Sequence, residues 1–258
     1  MPGKVLFILL IFSFSFCDAQ NTKAKKTILF IGAHPDDETA ISEALSNFAR
    51  LGNRVFVIIA TDGKDGTRVT KIPAGDSLGG LRKKESICGC KTLGLEPPIF
   101  IGVERLDTKI GVGKYFKAHQ QFHDSLKVKI PLINPDVIIT AGADGDTHHA
   151  EHIVVGAAVT ELLLAEGWVS KYPLYYFAWK KGAESVDDLD YTDPRYFNVE
   201  INYSREDKTK AIEALLCYAT QYTPDEFKEE AERKLKNTTN TIYFRKFAVA
   251  TGLKNEFE

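Results

Sequence analysis

Two short stretches gather side chains able to ligate a cation or move a proton. "AHPDDE" (Ala33 to Glu38) holds His34, Asp36, Asp37 and Glu38, and "HHAEH" (His148 to His152) holds His148, His149 and His152. Three consecutive carboxylates repel one another unless a positive charge sits among them, and a bound divalent cation is the strongest local charge a protein can place there. Side chains three apart on a helical turn share a face, whereas adjacent ones diverge. His34 therefore pairs with Asp37, and Asp36 points elsewhere, free to take a proton. His152 pairs with either His149 or His148, and periodicity does not choose between them. Two imidazoles and one carboxylate, with a fourth position left for water, make up a catalytic zinc centre.

Neither stretch is specific alone, since acids after a strand also serve as first-turn helix residues. The elements around them join the two. Nearly continuous apolar runs read as buried strands over Thr27 to Gly32, Arg54 to Ala60, Pro98 to Gly102 and Asp136 to Gly142. Helical periodicity covers Glu38 to Arg50, Leu81 to Leu93 and Tyr115 to Ile130, with Gly52, Gly94 and Pro131 as stops, and a further helix starts near Thr147. Additional strands are expected at Pro173 to Trp179 and Tyr196 to Ile201. A helix is expected over Lys208 to Tyr222, another opens at Pro224, and Asn237 to Thr241 reads as a polar loop. This alternation predicts one α/β domain, a Rossmann-like, mostly parallel sheet with helices on both faces. In such sheets the ligand crevice lies beyond the C-terminal strand ends. His34 to Glu38 follow the first strand and His148 to His152 the fourth, so the topology brings both clusters to one rim.

Thirty-three basic against 35 acidic side chains leave a net charge of −2, which gives no field toward nucleic acid or an anionic membrane and suits a small-molecule or glycan substrate. Lys4 followed by the apolar run Val5 to Phe16 has the layout of a secretory signal, with Cys17 and Ala19 at the small-residue positions before a cut. That layout predicts a signal peptide over residues 1–19 and a secreted or periplasmic domain over 20–258 without a membrane span. Cys88, Cys90 and Cys217 are then an odd, sparse set for a disulfide scaffold, and the two cysteines of Cys88 to Cys90 are read as buried small hydrophobes. "CGC" (Cys88 to Cys90) lacks the second pair of a four-thiolate site. "GVGK" (Gly111 to Lys114) lacks the rest of a phosphate-binding loop, and no GxGxxG follows the first strand. "YYFAW" (Tyr175 to Trp179) is read as core packing before a sugar platform.

"AHPDDE" after a strand, with "HAEH" (His149 to His152) opening a later helix, resembles the PIG-L/LmbE family of zinc-dependent N-acetylglucosaminyl deacetylases. "TDG" (Thr61 to Gly63), "RKKE" (Arg82 to Glu85) and "LGL" (Leu93 to Leu95) extend the resemblance over most of Thr27 to Gly156. It implies that His34, Asp37 and His152 bind Zn2+ or another divalent cation and that Asp36 is the general base. It also implies that a protonated His149 stabilises the oxyanion. Arg82 would touch substrate, with a solvated helix arginine as the plainer alternative. His148 is an additional candidate for substrate, and Glu38 is a supporting residue that orients the first-turn backbone or a ligand histidine. Ala150 and Glu151 replace the family's usual Pro and Asp, a change expected to leave the ligands untouched. The function so implied is hydrolytic removal of acetyl from an N-acetylglucosamine-type sugar. The alternatives are another metal-dependent hydrolase, such as a phosphoesterase, and a non-catalytic glycan-binding module.

Overall fold

The computed structural model describes residues 24–180 and 191–255; the expected signal peptide, residues 1–19, lies outside them. Five strands run parallel in the order β3-β2-β1-β4-β5: β1 (Thr27–Gly32), β2 (Arg54–Thr61), β3 (Ile99–Val103), β4 (Val137–Thr140) and β5 (Leu174–Lys180). Beyond β5 the sheet turns antiparallel with β8 (Thr241–Lys246) and then β7 (Val199–Asn202), while the two-residue β6 (Tyr191–Thr192) pairs with β5 off this path. The mostly parallel α/β class expected from the sequence is thus observed.

Successive side chains of a strand point to opposite faces, and β1 divides its apolar residues accordingly. Ile28 and Phe30 pack with Ile41, Leu45, Leu93 and Ala214 from α1 (Ser42–Arg50), α2 (Asp76–Leu93), α6 (Arg205–Leu215) and the turn before α1. Leu29 and Ile31 pack with Phe122, Leu126, Val155 and Val159 from α3 (Val112–Ile133) and α5 (Ala150–Ala165). Each side chain so buried contributes roughly 1.5–3 kcal/mol by leaving water. Both faces of β1 are therefore locked, and the residues after Gly32 start from a fixed point.

Several local expectations are corrected. The helix expected from Glu38 begins as a 3-10 turn, Asp37–Ile41, because the Asp37 side chain folds back onto the preceding amides. Pro131 does not stop α3, since it lies in the last turn, and Asn134 in a left-handed conformation closes the helix three residues later. The helix expected near Thr147 is kinked: α4 (Gly145–His148) contains non-helical Asp146, and α5 starts afresh at Ala150. The helix expected over Lys208 to Tyr222 ends at Leu215. The helix at Pro224 is α7 (Pro224–Lys236). β8, absent from the sequence reading, alternates buried Ile242 and Phe244 with less buried neighbours. The reading of Cys88 and Cys90 as buried hydrophobes holds for Cys90 alone, because packing of α2 against the end of α6 joins Cys88 to Cys217 in a disulfide. Among the described residues no helix is long and apolar enough to cross a membrane.

Candidate metal centre and active site

The strand order reverses between β1 and β4, which are neighbours in the sheet but belong to windings that run in opposite directions. That switch point is where an open α/β sheet leaves a crevice. Buried hydroxyls on both flanking strands secure the end of β1: Thr140 donates to the Ile31 carbonyl at 2.8 Å and Thr61 to the Ala33 carbonyl at 2.9 Å. On the other side, α5 approaches closely because Gly156 has no side chain; a Cβ there would stand 2.4 Å from the Ala141 carbonyl oxygen. Gly156 lies one turn after His152, so this contact sets how near His152 comes to β1.

The three expected ligands meet. His34 Nδ1, His152 Nε2 and Asp37 Oδ1 stand 3.3, 3.5 and 3.2 Å apart, taken as His34 to His152, His34 to Asp37 and His152 to Asp37. Ligands about 2.0–2.1 Å from a tetrahedral ion stand about 3.3–3.4 Å from one another, so the triangle has the dimensions of one face of such a site. The outer groups are committed in the matching sense. Asp37 Oδ2 accepts from the Ala33 and His34 amides at 2.5 and 3.1 Å, leaving Oδ1 inward. His34 Nε2 donates to Glu151 Oε2 at 2.8 Å, and His152 Nδ1 donates to the Gly145 carbonyl at 3.0 Å. Each ring nitrogen facing the centre is thereby left with its lone pair.

The electrostatics point the same way. Burial lowers the proton affinity of His34, yet Asp37 and Glu151 outweigh it and push the imidazole up to about 10. The pocket thus stabilises positive charge strongly at this position. His34, His149 and His152 also bring one ring nitrogen each within 4.8 Å of the others. That triangle is wider, and His149 Nδ1 already accepts from the Glu151 amide at 3.3 Å, so His34, Asp37 and His152 form the tighter of the two sets.

Asp36 borders this triangle without joining it. Its backbone is held at φ 133°, a conformation side chains rarely adopt. Arg82 Nη2 donates to its carboxylate at 3.1 Å and to the Pro35 carbonyl at 3.0 Å, while Nη1 donates to the Gly63 carbonyl at 2.8 Å. Arg82 is 4% exposed, which overturns the solvated-helix alternative; its guanidinium faces Asp36 and two loop carbonyls rather than open solvent. Burial pushes the Asp36 carboxyl up to about 6, with Arg82 pulling it down and Asp37 pushing it up. Glu38 is fully buried, and its Oε2 accepts from the Asp36 amide at 3.3 Å, so it supports the first-turn backbone and has no access to substrate.

Of the two adjacent histidines, His149 is the one whose ring lies against the centre, 4.9 Å from that of His34 and 4.8 Å from that of His152. His148 is exposed, with its backbone at φ 55°. Burial, then the neighbouring imidazoles, hold His149 below the usual histidine range. With Nδ1 accepting from the Glu151 amide, Nε2 is the ring nitrogen left to donate.

Glu151 is the functional residue that sequence reasoning passed over. It was expected to leave the ligands untouched, yet its carboxylate holds His34 on one oxygen and the Leu106 amide, at 2.7 Å, on the other. The available signal was an acid enclosed between two candidate ligands in "HAEH". Asp146 was likewise unread: burial pushes it up to about 6, and its Oδ1 accepts from the Trp179 indole at 2.5 Å. Of "YYFAW", Phe177 and Ala178 are core residues and Trp179 carries this bond.

The family model described as PIG-L: GlcNAc-PI de-N-acetylase matches residues 29–163, a span that contains both halves of this site. A 1D-myo-inositol 2-acetamido-2-deoxy-alpha-D-glucopyranoside deacetylase of Mycolicibacterium vanbaalenii is 29% identical over 157 residues, covering 55% of this chain and 55% of that protein. The chain spans about half the length of the curated relatives it matches. Among solved structures, the N,N'-diacetylchitobiose deacetylase of Pyrococcus horikoshii superposes with a TM-score of 0.65 at 17% identity, covering 90% of this chain and 87% of that one. The deacetylase of the A40926 pseudoaglycone superposes at 0.63 with 19% identity, covering 89% and 100%. At these identities the structural likeness is one of fold.

Proposed function

The chain belongs to the PIG-L family, and on that premise we propose that it is a metal-dependent hydrolase that removes the acetyl group from an N-acetylglucosamine-type sugar or glycoconjugate. The observation that carries this reading is the triangle of His34, Asp37 and His152 donors, 3.2 to 3.5 Å on a side, with a carboxylate oxygen of Asp36 beside it that accepts no hydrogen bond among the described residues. The family match and the deacetylase activities named for the relatives and structural neighbours support it.

These three residues would hold the cation, and zinc suits two imidazole nitrogens and one carboxylate oxygen. When bound it supplies Lewis-acid polarisation of the acetyl carbonyl and lowers the pKa of water. The remaining chemistry belongs to the chain. Asp36 takes a proton from the water that adds to the carbonyl carbon and returns one to the amine as the C–N bond breaks, so acetate and a primary amine leave. Arg82 keeps the Asp36 carboxylate aimed and lowers its proton affinity. His149 donates its Nε2 proton in a hydrogen bond to the developing oxyanion; losing such a donor costs about 3 kcal/mol. Glu151 orients His34, and Glu38 holds the Asp36 amide. His148 as a direct substrate contact remains part of the proposal, whereas Arg82, buried against Asp36 and two loop carbonyls, acts on the base.

We further propose that residues 1–19 are a cleaved signal peptide and that the single domain from residue 20 works in an exported, oxidising compartment. The Cys88–Cys217 disulfide supports that placement, because such bonds persist where thiols are not kept reduced. The N-terminal mass of the natural protein tests it.

Incubating the zinc-loaded protein with a panel of N-acetylated glycosides and measuring acetate together with new primary amine tests the activity. The expected result is equimolar release of both, abolished by chelation and by Asp36→Ala. Sugar binding without release at saturating metal would instead identify a glycan-binding module, and a metal stoichiometry near two with phosphoester cleavage would identify a phosphoesterase.

A further inference from the structure

"CGC" on α2, the free buried thiol and the tyrosines after α6 are not used by the reaction above, yet they converge behind its base. We propose that Tyr218, clamped by the Cys88–Cys217 disulfide, is a positioning residue for Asp36 and acts through Glu38. This rests on the reading of Asp36 as the general base.

The backbone of Asp36, at φ 133°, is costly by about 1–3 kcal/mol and persists only where its surroundings over-determine it. One restraint is the bond from the Asp36 amide to Glu38 Oε2. Glu38 is itself held at its other oxygen, Oε1, which accepts from the Tyr218 hydroxyl, from Ser86 Oγ at 3.2 Å and from the Cys90 thiol at 3.7 Å. Tyr218 is 1% exposed and comes from 180 residues downstream of Glu38. Its hydroxyl reaches that carboxylate only because residue 89 is glycine: a Cβ there would lie 2.2 Å from the tyrosine oxygen and 2.7 Å from Cζ.

The disulfide joins the residues immediately before each member of this contact, Cys88 before Gly89 and Cys217 before Tyr218. It therefore tethers the two segments at the place where the phenol crosses the helix. The same segment continues the brace, since Thr220 donates through its amide and hydroxyl to Glu85 at 2.9 and 2.6 Å, and the Tyr222 hydroxyl lies 3.3 Å from Thr39 Oγ1. The three residues of "CGC" thus have separate uses: a covalent tether, space for the phenol and a donor to Glu38. Among the described residues no hydrogen bond runs from any of them to His34, Asp37 or His152, so the brace reaches the base through Glu38 and not through a proposed metal ligand.

Tyr218→Phe removes one hydroxyl, and Cys88→Ser with Cys217→Ser removes the tether while keeping the phenol. Both are to be compared with wild type in four readouts: bound zinc per chain, melting temperature, kcat and KM on an N-acetyl glycoside, and hydrogen–deuterium exchange over residues 34–41. For Tyr218→Phe we expect kcat to fall roughly tenfold to hundredfold, as misplaced reacting groups do. KM should stay within about twofold and zinc content unchanged, with faster exchange confined to 34–41. The double serine variant should show the same split to a smaller extent. Wild-type kcat and wild-type exchange in Tyr218→Phe would overturn the proposal, as would a loss of activity that tracks lost zinc or lowered melting temperature. Should the wild type release no acetate, the assigned reaction fails, and the exchange over 34–41 still decides whether Tyr218 holds this loop.

Discussion

Replacing Glu151 by Gln separates a ligand's identity from its orientation. The Glu151 side chain is 5% exposed and both its oxygens are occupied, Oε1 by the Leu106 amide at 2.7 Å and Oε2 by His34 Nε2 at 2.8 Å. Burial alone would raise its carboxyl, but His34, the Leu106 amide and Arg105, 3.8 Å away, outweigh it and set the value at about 2, so the group is ionised at any pH where the protein works. A glutamine has one acceptor and one donor where the glutamate has two acceptors. If its oxygen serves Leu106, its amino group meets His34 Nε2–H, donor against donor. The imidazole then relieves the conflict by moving its proton to Nδ1, the atom that faces His152 and Asp37, and is lost as a ligand. Removing such an outer-shell partner weakens metal binding by about 10- to 100-fold, which at about 1.36 kcal/mol per decade is roughly 1.4–2.7 kcal/mol. Competition with a chromophoric chelator at pH 7 measures the zinc affinity directly, and the melting temperature in EDTA reports whether the metal-free fold is intact. Glu151→Asp, which keeps both acceptors, should lose less than Glu151→Gln. Undiminished zinc affinity in Glu151→Gln, with an intact fold, would refute the claim that this carboxylate sets the tautomer of His34.

Asp36→Ala should lower kcat by about 10²–10⁴-fold, the usual worth of a general base, while zinc content stays at the wild-type level; near-normal turnover would remove Asp36 from the mechanism. Arg82 pulls the proton affinity of Asp36 down against burial, and a base works only when deprotonated. Arg82→Met should therefore shift the acid limb of the kcat/KM profile to higher pH, and an unmoved limb would uncouple the two residues. Asp207 tests stability away from the site. It is fully buried, and although burial raises its carboxyl, the bonds from Arg50 at 2.9 and 3.0 Å and from the Ser204 side chain and amide outweigh this and leave it below the ordinary value. Its contribution is then fully present above the unfolded pKa of about 3.9 and fades as pH falls below that. Asp207→Asn should cost about 2 kcal/mol in urea unfolding at pH 7, with the gap between wild type and variant narrowing as pH falls below about 3.9; a gap that widened on acidification would contradict the sign.

His34, Asp36, Asp37 and His152 were legible in the chain because what marks them is short-range. A ligand at the end of a strand, or on the first turn of a helix, is placed by the periodicity of the few residues around it. The apolar runs of β1 and β4 carried that information, and so did the alternation of strands and helices that brings their C-terminal ends together. Glu151 on His34, Arg82 on Asp36, Tyr218 on Glu38 and Cys88 on Cys217 span 117, 46, 180 and 129 positions respectively. Beyond the acid enclosed in "HAEH", no local pattern ranks one distant acid, phenol or thiol above another, because each pairing forms only once burial has removed water as the competing partner. β8 shows the same limit, being six residues whose strand character depends on β5 lying open beside it. The sequence by itself therefore determined which side chains meet at the rim of the sheet. Tertiary packing decided which nitrogen of each histidine faces the centre and what holds Asp36 in its strained backbone, because those choices rest on hydrogen bonds between buried groups brought together only by the completed fold.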